Sequence, residues 1–226
     1  MEKADQRRFL YQLQDRVLEM VFAEENIFYL TGGTCLSRFY WAKRHSDDLD
    51  FFAEGSRRFA LAARRVMRRL EEAFEVSAEI ESKDFYRFRL NNLLQVDFVN
   101  DHSPRYGKVV ETAEGYLVDN PENILANKLT AILGRDDPKD VFDVYLIWRF
   151  RSFSWKDILR AAREKAAFED SDLIVRLETF PSKLLERVDV LDPVFLNDFD
   201  RDRRKLIDEI QKHAYHKHRR DSAITP

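Results

Sequence analysis

The chain has 226 residues, with 38 Lys and Arg against 41 Asp and Glu, a formal charge of −3 and 35% charged side chains. This near-balance excludes a nonspecific basic nucleic-acid coat, a polybasic membrane tether and an acidic disordered tail, each of which needs a large excess of one sign. Apolar residues at 44%, including 18 Phe, supply a core and exclude wholesale disorder, while 6 Gly and 6 Pro are too few for a turn-rich all-β architecture.

The opening segment sets Phe9, Leu10, Leu13, Val17, Met20 and Val21 at three-and-four spacing, which predicts an amphipathic helix ending near Asn26, with Arg7, Gln14 and Glu24 toward solvent. Ile27 to Leu30 then read as a buried strand running into the Thr31-Gly32-Gly33 turn. A short helix is expected from Leu36 to Lys43, and a second strand over Asp48 to Phe52. From Arg57 to Phe74 helical spacing returns, with Phe59, Ala62, Ala63, Val66, Leu70 and Phe74 on one side and arginines crowding the other. Three strands follow, Glu75 to Ile80, Phe85 to Leu90 and Leu93 to Val99, with Asn91 and Asn92 suited to a hairpin because asparagine tolerates positive φ.

A boundary is expected near Asp119, Asn120 and Pro121, where an Asx-Pro turn precedes a helical run. Candidate helices are Glu122 to Leu133, Pro138 to Arg149, Trp155 to Lys165, Asp172 to Thr179 and Pro193 to His213, with Pro138 and Pro193 suited to first-turn positions. The chain thus reads as α+β: a mixed sheet with flanking helices over 1–118, a helical domain over 119–215 and a fraying polar tail over 216–226. The single Cys35 cannot close an internal disulfide, no apolar run reaches the roughly 20 residues of a membrane span, and the charged opening segment lacks a signal-peptide core. A cytoplasmic location without membrane contact is the expectation.

The informative passage is Tyr29-Leu30-Thr31-Gly32-Gly33-Thr34 followed by Asp48-Leu49-Asp50-Phe51. Residues two apart on a strand share a face, so Asp48 and Asp50 present two carboxylates side by side. Such a pair repels unless a cation sits between them, and hard oxygen donors suit Mg²⁺ or Mn²⁺ that shares its other positions with substrate phosphates. The glycine turn lets the backbone approach a triphosphate, with amides at Gly32 and Gly33 and the Thr34 hydroxyl as donors. Asp97, an isolated carboxylate in the apolar stretch Gln95 to Val99, is costly to bury unpaired. If its strand lies beside the Asp48 strand, it completes a cluster able to hold two metals and to act as base toward an attacking hydroxyl. A lone Asp-x-Asp is also common at strand ends, so the reading rests on the combination.

With these residues the chain resembles the AbiEii/AbiGii nucleotidyltransferase family of the polymerase-β-like superfamily. The resemblance rests on Thr31 to Ser37, on Ser46 to Phe52, on Asp97, and on Asn127 to Arg135 running into Lys139-Asp140-Val141-Phe142-Asp143-Val144-Tyr145. Gly-Gly stands where many members have Gly-Ser. The resemblance implies a nucleotidyltransferase-type sheet, metal-dependent transfer of a nucleotide from a nucleoside triphosphate to an acceptor, in some members the 3′ end of tRNA, and a toxin role beside a cognate antitoxin in toxin–antitoxin or abortive-infection systems.

On that implication Lys128 is the cation for the departing pyrophosphate, with Arg135 two turns on; otherwise it is a solvent-facing lysine. Asp140 and Asp143, three apart on the next helix, orient Lys128 or, for Asp140, act as base; Asp143 joins Arg135 at the substrate. Alternatively they form an ion-paired box with Lys139 and Arg149. Arg57, Arg64 and Arg68 with Arg58, Arg65 and Arg69 suit an RNA backbone, or are a solvated face paired with acids such as Glu71 and Glu72. His213, His216 and His218 read as a solvated basic end, and Cys35 as a small buried residue. The rival function is a non-catalytic protein that keeps the scaffold as a binding or regulatory partner.

Overall fold

The structure is a computed structural model describing residues 3–221, with side chains described over 5–214. In chain order the elements are α1 (Lys3–Glu24), β1 (Tyr29–Thr31), α2 (Gly32–Cys35) running on as a π turn (Leu36–Tyr40), β2 (Leu49–Glu54), α3 (Phe59–Glu71), β3 (Val76–Glu81), β4 (Phe85–Leu90), β5 (Leu94–Asp101), β6 (Val110–Glu111) and β7 (Leu117–Val118). There follow α4 (Pro121–Gly134), α5 (Pro138–Phe150), α6 (Trp155–Lys165), α7 (Asp170–Thr179), short 3₁₀ turns at Ser182–Arg187 and Pro193–Leu196, and α8 (Phe199–Asp221). The chain divides into two compact units. One comprises the chain up to Tyr40, His45–Ser103 and Lys108–Asn120; the other comprises Trp41–Arg44, Pro104–Gly107 and the chain from Pro121.

The first unit is built on one mixed sheet in the order β3-β4-β5-β2-β1-β7-β6. Strands β2 and β5 run parallel, whereas β1 with β2 and β4 with β5 are antiparallel. Strict alternation divides the two faces. Leu49, Phe51 and Ala53 of β2, Phe88 of β4 and Val96 and Phe98 of β5 have no exposed surface, and Asp50, Phe52, Arg87 and Gln95 occupy the alternate positions. Helices α1 and α3 cover the apolar face: Phe22 meets Phe51 at 5.8 Å between ring centroids, and Phe59 meets Phe28 at 6.1 Å. Each fully buried ring there contributes about 2–3 kcal/mol. The sheet's other face is left to polar chemistry.

The predicted hairpin forms as expected, with Asn91 at φ 50° and Asn92 at φ 53°, and β4 and α6 coincide with their predicted spans. Four points differ. Gln14, expected in solvent, has no exposed surface; its Nε2 donates to the Ser46 carbonyl at 2.9 Å and its Oε1 accepts from Arg38 at 3.2 Å. The short helix begins at Gly32 rather than Leu36, because Thr31 in extended conformation and Gly32 at φ +72° turn the chain directly out of β1. Strands β6 and β7 are two residues each, too short to show alternation. The run from Pro193 breaks into a 3₁₀ turn capped by Asp192 and a separate α8. The expected fraying tail over 216–226 falls outside the residues with described side chains; the backbone of α8 is described to Asp221.

The second unit is helical. Asp137 caps α5 by accepting from the Lys139 amide at 2.9 Å, with Pro138 in the first turn. Ser154 caps α6 in the same way. Trp148 and Trp155 both donate their indole N–H to Glu209 Oε2, at 2.9 and 2.8 Å. The stretch Trp41–Arg44 belongs to this unit because it pairs with the chain near Val190: Arg44 bridges Val190, and the Leu191 amide donates to the Lys43 carbonyl at 2.9 Å. Among the described residues no helix is long and apolar enough to cross a membrane.

Candidate active site

Strand register sets one line of polar residues across the first unit's sheet. Thr31 of β1 lies opposite Asp50 of β2, Asp50 beside Asp97 of β5, and Asp97 opposite Arg87 of β4. Laterally paired residues share a face, so these four side chains form one row on the side away from α1 and α3. Asp48 stands immediately before β2, two residues from Asp50. Asp97 is buried and does not lie unpaired: Arg87 donates to both its oxygens, Nε to Oδ1 at 2.8 Å and Nη2 to Oδ2 at 2.6 Å, and Gln95 Nε2 adds a contact at 3.2 Å. A guanidinium fork matches a carboxylate in this way, and it offsets the desolvation of Asp97.

The glycine turn serves the carboxylates. A Cβ placed on Gly32 would stand 2.5 Å from Asp50 Oδ2, so the side-chain-free position makes room for that carboxylate. Thr34, expected to donate to a phosphate, is buried, and its hydroxyl donates instead to the Asp48 backbone carbonyl. Gly33 is buried between them. The turn therefore fixes both ends of the Asp48-Leu49-Asp50 step. Sequence reasoning missed Asp119, which has no exposed surface and accepts from the Thr31 hydroxyl at 2.7 Å and from the Asn120 amide at 2.9 Å. Its Asp-Asn-Pro context signalled a turn, not a buried carboxylate beside Thr31 at the end of the row.

Among the described residues no group of three or more His, Cys, Asp or Glu side chains is placed to hold a metal. Asp97 is engaged by Arg87, and Asp48 and Asp50 are hard oxygen donors two residues apart. One or two carboxylates completed by substrate phosphates are an ordinary Mg²⁺ donor set. The residues present fit one such cation, rather than a cage of three carboxylates.

In the second unit Lys128 and Arg135 come together with Asp140 and Asp143, and with Arg44, which carries no spacing signal. The ion pairs form a ladder. Arg44 donates to both oxygens of Asp143, at 2.7 and 2.8 Å. Lys128 Nζ stands 2.9 Å from Asp143 and 2.8 Å from Asp140, and Arg135 donates to both oxygens of Asp140, at 2.6 and 3.0 Å. Exposure rises along it, from 0% at both aspartates and 3% at Arg44 through 12% at Lys128 to 59% at Arg135.

Three expectations change here. Lys128 is neither solvent-facing nor an open ammonium, because two carboxylates close around it. The box partners are Lys128, Arg135 and Arg44, not Lys139 and Arg149; Arg149 pairs with Asp202. Asp143 and Asp140 have no exposed surface and are held by these cations. Burial would raise the Asp143 carboxyl, but the charges and hydrogen bonds of Arg44 and Lys128 outweigh it and bring its pKa to about 2. Asp140 is lowered too: burial opposes, and the Arg135 hydrogen bonds and Lys128 charge prevail. A carboxylate this acidic is a poor base near neutrality.

The arginine side of α3 is largely answered by acids. Arg58 and Arg65 reach the buried Glu25 at 3.2 and 2.7 Å, Arg69 pairs with Glu72, and Arg64 lies 3.9 Å from Glu81. Cys35 is buried, as expected. His216 and His218 lie outside the residues with described side chains.

Comparison with known proteins gives concordant results. The sequence profile of the family described as "Nucleotidyl transferase AbiEii toxin, Type IV TA system" matches residues 16–225. An uncharacterised protein of Aquifex aeolicus is 27% identical over 152 residues, 67% of this chain and 72% of that one. The crystal structure of JHP933 from Helicobacter pylori superposes with a TM-score of 0.59 at 19% identity, covering 97% of this chain and 96% of that one. MenT4, a nucleotidyltransferase toxin from Mycobacterium tuberculosis, superposes with a TM-score of 0.53 at 18% identity, covering 70% of this chain and 63% of that one.

Proposed function

The chain belongs to the AbiEii nucleotidyltransferase toxin family, and from that premise we propose that it transfers a nucleotide from a nucleoside triphosphate to an RNA acceptor, with tRNA the first candidate. The observation that carries the reading is the registered row Asp50, Asp97 and Arg87 with Asp48 at its edge, on the sheet of a nucleotidyltransferase fold. Asp48 and Asp50 would hold Mg²⁺ or Mn²⁺. When bound, that ion would neutralise charge on the phosphate being transferred. Gly32 keeps Asp50 in place and Thr34 keeps Asp48 in place.

Asp97 is the base toward the acceptor hydroxyl. A carboxylate offers about four lone-pair sites, so one already held by Arg87 and Gln95 can still accept a further proton-bearing group. Lys128 and Arg135 are the cations for the phosphates of the triphosphate, Arg135 making the contact and Lys128 supplying charge from behind it, with Asp140 and Asp143 as positioning residues. The family description suggests a cognate antitoxin as partner, and a cytoplasmic location is part of the same proposal. Incubating the protein with Mg²⁺ and each labelled triphosphate in a cell extract, then separating RNA, protein and metabolites, tests the proposal. Label in the RNA fraction is the expected result; label confined to protein or metabolites changes the acceptor.

One observation favours a second reading. Arg87 engages both oxygens of Asp97, as in a scaffold that binds without catalysing. The two readings part on thermal shift: magnesium-dependent stabilisation by at least one triphosphate supports the enzyme, and none with all four supports the scaffold.

A further inference from the structure

The ladder in the second unit joins five charged residues, and their signs set its charge. Arg44, Lys128 and Arg135 are three cations against the two carboxylates Asp140 and Asp143. Two further acids lie nearby: Asp136 is met by Arg176 at 2.7 Å, and Asp137, which accepts from the Lys139 amide, also acts on Arg44 through its charge. The excess cation is set by the most buried pair. Without Arg44, Lys128 and Arg135 would be matched one for one by Asp140 and Asp143, and the ladder would carry no net charge.

We propose that Arg44 is a positioning residue that, by neutralising Asp143, makes the Lys128–Arg135 end of the ladder more positive by one charge for the phosphates of a nucleoside triphosphate. The inference rests on the assignment of Lys128 and Arg135 to the triphosphate. Arg44, 3% exposed, does not touch the ligand. It acts through charge: with Arg44 on Asp143, Lys128 shares that carboxylate rather than answering it alone, and Arg135, whose Nε and Nη2 are on Asp140, is the exposed member of the cluster. The rise in exposure toward Arg135 fits this, since the charge is assembled where water cannot screen it and is presented where a ligand can reach it.

The test is a charge cycle, read as dissociation constants of the magnesium complexes of ATP, GTP, CTP and UTP by calorimetry, below the melting temperature of each variant. Arg44→Gln should weaken triphosphate binding roughly tenfold, the order of effect of removing one unit charge near a polyphosphate at an effective dielectric near 20. Asp143→Asn should strengthen it by a similar factor. The double variant Arg44→Gln/Asp143→Asn restores the excess of one cation and should bind like the unaltered protein, whatever its stability. Should Arg44→Gln not fold, Asp143→Asn and the double variant still carry the test. A packing role alone predicts lower melting temperatures with no strengthening by Asp143→Asn; that result, or a double variant as weak as Arg44→Gln, overturns the inference. Arg135→Met distinguishes the two levels. If it leaves triphosphate binding unchanged, the assignment of Arg135 itself falls, and the inference falls with it.

Discussion

Arg87 and Asp97 face each other across the antiparallel pair β4 and β5 and share two hydrogen bonds, at 2.8 and 2.6 Å. The carboxylate is buried and the arginine about a third exposed, 9% against 32% for the side chains. Arg87→Met therefore leaves a buried carboxylate with only Gln95 beside it. The variant should lose on the order of 1–3 kcal/mol of stability, measured as a shift in denaturant midpoint. Asp97→Asn, which keeps one acceptor oxygen for Arg87 and removes the buried charge, should lose less. Equal losses would mean that the pair is not the source of the effect.

Gly32→Ala tests the packing of the turn against the carboxylate. At φ +72° and with a Cβ 2.5 Å from Asp50 Oδ2, the substitution combines backbone strain with a displaced Asp50. A loss of roughly 1–3 kcal/mol should accompany a much larger loss of nucleotide transfer. Gly115→Ala is the control: φ is +82° with nothing within 4 Å, so it should cost stability and leave transfer unaltered.

Thr34→Val removes the hydroxyl that donates to the Asp48 carbonyl while keeping the side-chain volume. Transfer should fall on the order of tenfold to a hundredfold through misplacement of Asp48, and Thr34→Ser should retain most of it. Initial rates at saturating triphosphate check this, and equal rates for the Ser and Val variants would contradict it.

The pH dependence of stability follows from Asp143. Its folded pKa, about 2 against an ordinary 3.8, is depressed. Its contribution is therefore fully present above the unfolded value and is lost as pH falls through the folded one. Roughly 2 kcal/mol should disappear as pH falls from about 4 to about 2, with Asp140 adding in the same direction. Asp143→Asn should flatten this part of the stability curve. An unchanged slope would remove Asp143 from the account.

Much of the sheet was legible because its signals are local. Alternation defined β4, the asparagine pair defined its turn, and the Gly-Gly and Asp-x-Asp elements marked the polar row. The residues that close the site were not legible. Arg87 looked like one more position of an alternating strand, and only the register of β4 on β5 sets it against Asp97. Arg44 sits in a stretch with no periodicity, and its partner lies 99 positions away. Thr34 and Gln14 show the same limit: residue type gave the capacity to hydrogen-bond, and tertiary contact chose the partner. Where the contact depends on chain distant in sequence, spacing carries no information about it.

Asp50 stands in the middle of the proposed nucleotide-transferring row on the sheet. Asp50→Asn keeps the side chain's size and removes its charge, so the variant should melt close to the unaltered protein. With Mg²⁺, labelled triphosphates and total RNA, transfer should fall about a hundredfold to a thousandfold, the range seen when one catalytic electrostatic contact is removed. Transfer at an undiminished rate by a folded Asp50→Asn protein would contradict the account.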